Sequence, residues 1–196
     1  MQTIVLATHN PGKAREFARL LGPAGFTVKT LADYGVTEGP EETGATFLEN
    51  ARIKARAAME ATGLPALADD SGLCVDALGG APGVLSARFA PSGKRTETLL
   101  RSMEGRDDRK ARFVCALALA YPAGDGYPDG REITAEGFCE GEIAEEPGGT
   151  NGFGYDPIFF LPEKKRTMAQ LTPEEKDAVS HRGAAIRALL KSLKGT

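Results

Sequence analysis

Short apolar runs closed off by turn residues alternate along this chain with stretches whose apolar residues recur three or four positions apart, as in strands interleaved with amphipathic helices. Thr3 to Ala7 is such a run, and Asn10-Pro11-Gly12 ends it, which predicts a buried strand passing into a loop. From Lys13 onward, Ala14, Phe17, Ala18 and Leu21 share a helical face until Gly22-Pro23 stops the helix. Phe26 to Leu31 is a second strand. Thr46-Phe-Leu-Glu49 is a capping box opening a helix with Phe47, Ala51, Ala55 and Ala58 in one stripe and Gly63 at its end. Leu64 to Ala68 is a third strand, with Asp69 and Asp70 at its C-terminal end, where α/β proteins place their sites.

After a Gly-rich bend at 79–83 and a helix near Thr96 to Met103, Phe113 to Tyr121 is a long apolar strand whose partner is Glu132 to Cys139. The turn-rich link at 122–130 predicts an antiparallel hairpin, so the sheet is mixed. A second Gly-rich loop, 147–157, precedes a strand from Ile158 to Leu161. Thr172, Pro173 and Glu175 supply an N-cap, a first-turn proline and a capping glutamate for one more helix. The last helix carries Ile186, Leu189, Leu190 and Leu193, with Ser180 at its N-cap. The pattern is that of one α/β domain spanning 1–196, with room for two lobes.

Composition narrows the chemistry. The 196 residues include 24 basic and 27 acidic ones, a net charge of −3, which excludes a strongly basic binder of nucleic-acid polymers. From Pro162 onward eight basic residues face four acidic ones, so positive charge is concentrated locally. Two histidines and three cysteines without a C-x-x-C pair exclude the usual zinc site, so a catalytic metal would be a hard cation such as Mg²⁺ or Mn²⁺ on oxygen ligands. No window is apolar for long enough to cross a membrane, and the N-terminus has neither the basic region nor the apolar core of a signal peptide. The expectation is a soluble, cytoplasmic protein.

Five groups of residues could carry chemistry. Thr8-His9-Asn10-Pro11-Gly12-Lys13 offers a hydroxyl, an amide, loop N–H groups and a lysine beside a helix N-terminus, the parts of an anion site, although it lacks the Walker spacing and also fits an ordinary βα turn. Asp69 and Asp70, with Glu41 and Glu42 upstream, are oxygen ligands for Mg²⁺; adjacent strand residues point to opposite faces, so the two aspartates have different tasks. Asp-Asp-Ser-Gly read alone is also a turn, and Asn50 with Lys54, four apart on one helical face, is also an ordinary solvated pair. In Gly152-Phe153-Gly154-Tyr155-Asp156, flanking glycines free an aromatic ring to stack on a heterocycle, or else the turn simply packs Phe153 and Tyr155 into the core. Ser180-His181-Arg182 sets two polar side chains at a helix start, and no nucleophile-elbow motif supports a serine hydrolase.

Five stretches, 7–17, 41–55, 65–90, 152–160 and 171–189, together resemble the inosine/xanthosine triphosphate pyrophosphatases over almost the whole chain. The resemblance implies an α/β fold in which a long mixed β-sheet is flanked by helices in two lobes with the active site in the cleft between them, and a homodimer. It implies Mg²⁺-dependent hydrolysis of purine nucleoside triphosphates (ITP, dITP, XTP) to monophosphate and pyrophosphate, cleansing the nucleotide pool. By the same resemblance Thr8, His9, Asn10, Pro11, Gly12 and Lys13 hold the phosphates with Lys54 and Lys176, Asp70 is the general base and a metal ligand, and Glu41 is the second ligand. Ser71 touches the substrate, Phe153, Gly154 and Tyr155 form the base-stacking turn, and Asp156, His181 and Arg182 read the purine edge. The chain departs from the family pattern at His9, a position often small, and at Asn151, where glycine is frequent; Asn tolerates a left-handed backbone, so the second departure is mild. A non-enzymatic nucleotide sensor and a pyrophosphatase for other modified nucleotides are the competing readings.

Overall fold

The apolar runs become strands of a seven-stranded sheet in a computed structural model that describes residues 2–124 and 129–194. The strands are β1 (Gln2–Leu6), β2 (Phe26–Thr30), β3 (Ala66–Val75), β4 (Lys110–Tyr121), β5 (Arg131–Ile143), β6 (Phe159–Leu161) and β7 (Arg166–Thr167), in the order β2-β1-β3-β4-β5-β6-β7. β1 pairs in parallel with β2 and β3, while β6 pairs antiparallel with β5 and β7, so the sheet is mixed as expected. The helices are α1 (Pro11–Leu21), α2 (Phe47–Thr62), α3 (Arg95–Ser102), α4 (Pro173–Val179) and α5 (His181–Lys194). β4 and β5 are sheet neighbours, and the hairpin link between them falls partly on 125–128, outside the described residues. No helix among the described residues is long and apolar enough to cross a membrane.

The chain divides into two compact units. The first comprises Met1–Asp70, Cys115–Gly137 and Ala185–Thr196, the second Ser71–Val114 and Phe138–Ala184. In the first, side-chain alternation along the strands sorts large from small residues. Ile4, Leu6, Leu67, Cys115, Leu117 and Leu119 pack with Phe17 and Leu21 of α1 and with Ile186 and Leu189 of α5. On the opposite face Val5, Ala66, Ala68, Ala118 and Ala120 meet the alanine stripe Ala51, Ala55 and Ala58 of α2, where short side chains let helix and sheet approach closely. The unbroken apolar strands thus reflect burial on both faces. Ala18 is a correction: it is exposed, and the buried face of α1 runs through Phe17 and Leu21 with Ala14 and Leu20 beside them.

The second unit buries one face of its strands. Leu73, Val75, Phe113, Cys139 and Ile143 pack with Leu99 of α3, with Met103 just after it, and with Tyr155, Ile158, Phe159, Met168 and Leu171. Gly141 has no room for a side chain, since a Cβ there would lie 2.6 Å from the Phe160 carbonyl oxygen. Phe138 on β5 is 50% exposed, at the edge of a concavity of about 740 Å³ that Arg112, Glu140, Leu161 and Val179 also line.

Candidate functional site

In the first unit the loop after β1 ends in an N-cap. Asn10 Oδ1 accepts the N–H groups of Gly12 at 2.8 Å and Lys13 at 3.2 Å, and Thr8 Oγ1 accepts the Asn10 N–H at 3.1 Å. This cap starts α1 at Pro11, two residues earlier than the apolar spacing predicts. His9 and Pro11 are exposed beside it, and Gly12 is buried. Lys13 extends away from the cap to Asp69, its Nζ 2.8 Å from Oδ2.

Asp69 and Asp70 lie inside β3 and not beyond its end, a correction with a clear physical origin. Both carboxylates are neutralised by lysines from helices, so the strand carries them through the interior without breaking. Their partners differ, as alternation along a strand requires: Lys13 serves Asp69, and Lys54 Nζ lies 2.8 Å from Asp70 Oδ1. Lys54 also reaches Glu42 Oε1 at 2.8 Å. Glu41, the residue the resemblance points to, is exposed and stands outside this group.

Asn50 belongs to the group and was not singled out among the site residues. It is 1% exposed, its Nδ2 donates to Asp70 Oδ2 at 3.4 Å, and its Oδ1 accepts the Gly44 N–H at 2.8 Å. A Cβ on Gly44 would come within 2.7 Å of that same Oδ1. The sequence signal was the Asn50–Lys54 spacing on one helical face, which exposed pairs share.

Burial raises the Asp70 pKa, and the Glu42 charge adds to this, against the charge and hydrogen bond of Lys54 and the charge of Lys13; the net result lies above the usual carboxylate range. Burial works to lower the Lys54 pKa, but the charges of Asp69 and Asp70 and the bonds to Asp70 and Glu42 outweigh it and raise it. The group therefore pairs a firmly charged ammonium with a carboxylate of enhanced basicity. Among the described residues no set of three or more His, Cys, Asp or Glu stands ready to hold a metal. The two carboxylates that converge on Lys54 are hard oxygen donors, and Mg²⁺ needs only one or two of these when substrate phosphates and water complete its shell.

In the second unit the Gly-rich turn presents Phe153, half-buried, with Lys176 Nζ 4.8 Å and Arg182 Cζ 5.5 Å from the ring centroid. Asp156 organises this turn: its Oδ2 accepts the Phe153 N–H at 2.8 Å and lies 2.6 Å from Lys176 Nζ. Gly152 sits at φ +74°, and a Cβ there would fall 2.0 Å from the same oxygen. Arg182 donates to Ser71 Oγ at 2.9 Å. Ser71, Phe153, Asp156, Lys176 and Arg182 thus form one group.

Other candidates in the second unit face elsewhere. Tyr155 is buried, its hydroxyl donating to the Ser86 carbonyl at 2.9 Å, and burial pushes its pKa up to about 12. Gly154 is exposed, and the His181 ring stacks on Phe113 at 4.7 Å. The α5 cap is as expected, with Ser180 Oγ accepting the Gly183 N–H at 3.1 Å, so the residue after the cap, His181, opens the helix. Asn151 makes no use of the left-handed backbone it tolerates: its side-chain amide donates to the Leu171 carbonyl at 3.0 Å, a role glycine could not fill.

Comparison with known proteins follows the same lines. A model described as the Ham1 family matches residues 4–192. A protein of Thermus thermophilus named dITP/XTP pyrophosphatase is 53% identical over 197 residues, covering 97% of this chain and 91% of that protein. One of the same name from Bacillus subtilis is 50% identical over 98% of each chain. Among solved structures, a HAM1 protein from Coxiella burnetii superimposes with a TM-score of 0.85 at 46% identity, covering all of both chains.

Proposed function

The chain belongs to the Ham1 family, and from that premise we propose that it hydrolyses non-standard purine nucleoside triphosphates, ITP, dITP and XTP, to the monophosphate and pyrophosphate. The observation that carries the reading is the buried Asp70 carboxylate, held by Lys54 and Asn50 in a chain that matches proteins named for this reaction almost from end to end. In the reaction water attacks the α-phosphorus, the α–β anhydride bond breaks and pyrophosphate leaves. Asp70, with its raised pKa, takes the proton of the attacking water. Lys13, Lys54, Thr8, Asn10 and the N–H groups at the start of α1 receive phosphate charge.

Mg²⁺ fits the oxygen donors of the first unit: Asp70 and a glutamate of the Glu41–Glu42 pair would hold it, Glu42 being the nearer to Lys54, and it would neutralise charge on the phosphates. Phe153 stacks on the purine. Donors from Lys176, Arg182 and the His181 backbone meet the C6 oxygen of an oxo-purine, where adenine would present an amino group. The same reading places the protein in the cytoplasm as a homodimer, which the exposed Phe138 on β5 supports.

The test is pyrophosphate release from ITP, XTP, dITP, ATP and GTP with Mg²⁺. The expected outcome is fast cleavage of the first three. Release of orthophosphate, or equal cleavage of ATP and ITP, would refute the reading.

A further inference from the structure

Two residues of α2 tie the same two pieces of chain together. Lys54 spans from Glu42 Oε1 to Asp70 Oδ1, 2.8 Å from each, and Asn50, one helical turn earlier, spans from the Gly44 N–H to Asp70 Oδ2. The segment before α2 and the Asp70 carboxylate are therefore joined once through an ammonium and once through a neutral amide. Asn50 adjoins Ala51 of the stripe packed on the sheet, and an amide buried this deeply destabilises the fold unless both its ends are bonded. Only its oxygen can accept the Gly44 N–H, at 2.8 Å, so its Nδ2 group is committed to Asp70. Gly44 makes room for this arrangement. Its backbone is not left-handed, and a Cβ there would lie 2.7 Å from Asn50 Oδ1 and 2.9 Å from the Asn50 nitrogen, so space for the amide accounts for the glycine.

A carboxylate that takes a proton from water must hold an oxygen toward that water while staying basic. Lys54 alone fixes Oδ1 of Asp70 and leaves the group free to turn about that contact; the bond at Oδ2 removes the freedom. A neutral donor does this with less loss of basicity than a second ammonium, because bonds from charged donors are about twice as strong, and at 3.4 Å this one is long. We propose that Asn50 is a positioning residue for the hydrolysis: anchored by Gly44, its amide sets the angle at which Asp70 meets the attacking water. This rests on the proposed hydrolysis and on the part of Asp70 in it, since Asn50 acts through that carboxylate.

The experiment compares Asn50→Asp and Asn50→Leu, both close to asparagine in size. The first keeps an oxygen for Gly44 and adds charge, whereas the second gives up the Gly44 bond and adds none. What the two share is loss of the donor to Asp70. Both should lower kcat for ITP by about 10- to 100-fold, the penalty of a slightly misplaced catalytic group. KM and the equilibrium binding of IMP should stay within about threefold of the parent, the signature of an interaction felt only in the transition state. Gly44→Ala, which crowds the amide from its far side and leaves Asn50 and Asp70 in place, should give the same split. Thermal unfolding shows which variants are folded, and if neither Asn50 variant folds, Gly44→Ala decides alone. Parental kcat in any folded variant of the three, or a loss carried by KM and IMP binding with kcat kept, overturns the proposal while leaving the hydrolysis standing. Failure of the unmodified protein to release pyrophosphate from ITP overturns the functional reading itself.

Discussion

Asp70 is subject to two opposing influences, since burial disfavours its charge and Lys54 favours it. A carboxylate held this way is a better proton acceptor than an exposed one, and positioned general bases contribute about 10²- to 10⁴-fold. Asp70→Asn should therefore lower kcat by a factor in that range while IMP still binds, a contrast that steady-state kinetics and calorimetry resolve. Single residues were the least legible level of the sequence. The pairing of Lys13 with Asp69 and of Lys54 with Asp70 depends on which helix faces which strand, and the alternation rule separated the two aspartates without naming their partners. Asn50 was passed over because four-residue spacing describes buried and solvated pairs equally. Glu42 and Glu41 are neighbours in sequence, and only the path of the segment before α2 brings Glu42 to Lys54.

Elements were read more successfully because their signals are local. The Thr46–Glu49 box opens α2, and Thr172 with Glu175 opens α4, both with reciprocal bonds. β3 was the main misreading: two adjacent aspartates before Ser-Gly resemble a turn, and only long-range lysines make a continuous strand affordable there. The Gly-rich turn gives a sharp test. Gly152→Ala would place a Cβ against the Asp156 carboxylate at a left-handed φ, costing about 1–3 kcal/mol for the backbone alone. Thermal unfolding should show the loss, with KM rising more than kcat falls as Phe153 is displaced. At the start of α4, the side-chain bond from Arg166 and the Thr172 backbone N–H hold the Glu175 carboxyl below its usual range. Its contribution is therefore full above the unfolded carboxylate pKa of about 4.3 and fades as pH falls through the lower folded value. Glu175→Gln should lower Tm at neutral pH, and the gap to the parent should close in acid.

At the level of the molecule, the sequence indicated an α/β chain with a mixed sheet, because unbroken apolar strands and amphipathic helices are distinct patterns. Where one unit ends and the other begins was not legible, since β3, β4 and β5 each contribute residues to both. The proposed homodimer is tested at this scale. Phe138→Glu puts charge on the exposed ring position of β5, and sedimentation should show monomer where the parent sediments as dimer; an unchanged species would place the interface elsewhere.

The core of the first unit joins Ile4 and Leu6, near the start of the chain, to Ile186 and Leu189, near its end. During synthesis, at about 5–20 residues per second, β1 is therefore made roughly 10–35 seconds before the last helix of its core exists. A nascent chain halted short of α5 lacks Ile186 and Leu189, so this core stays incomplete until the last helix has been made.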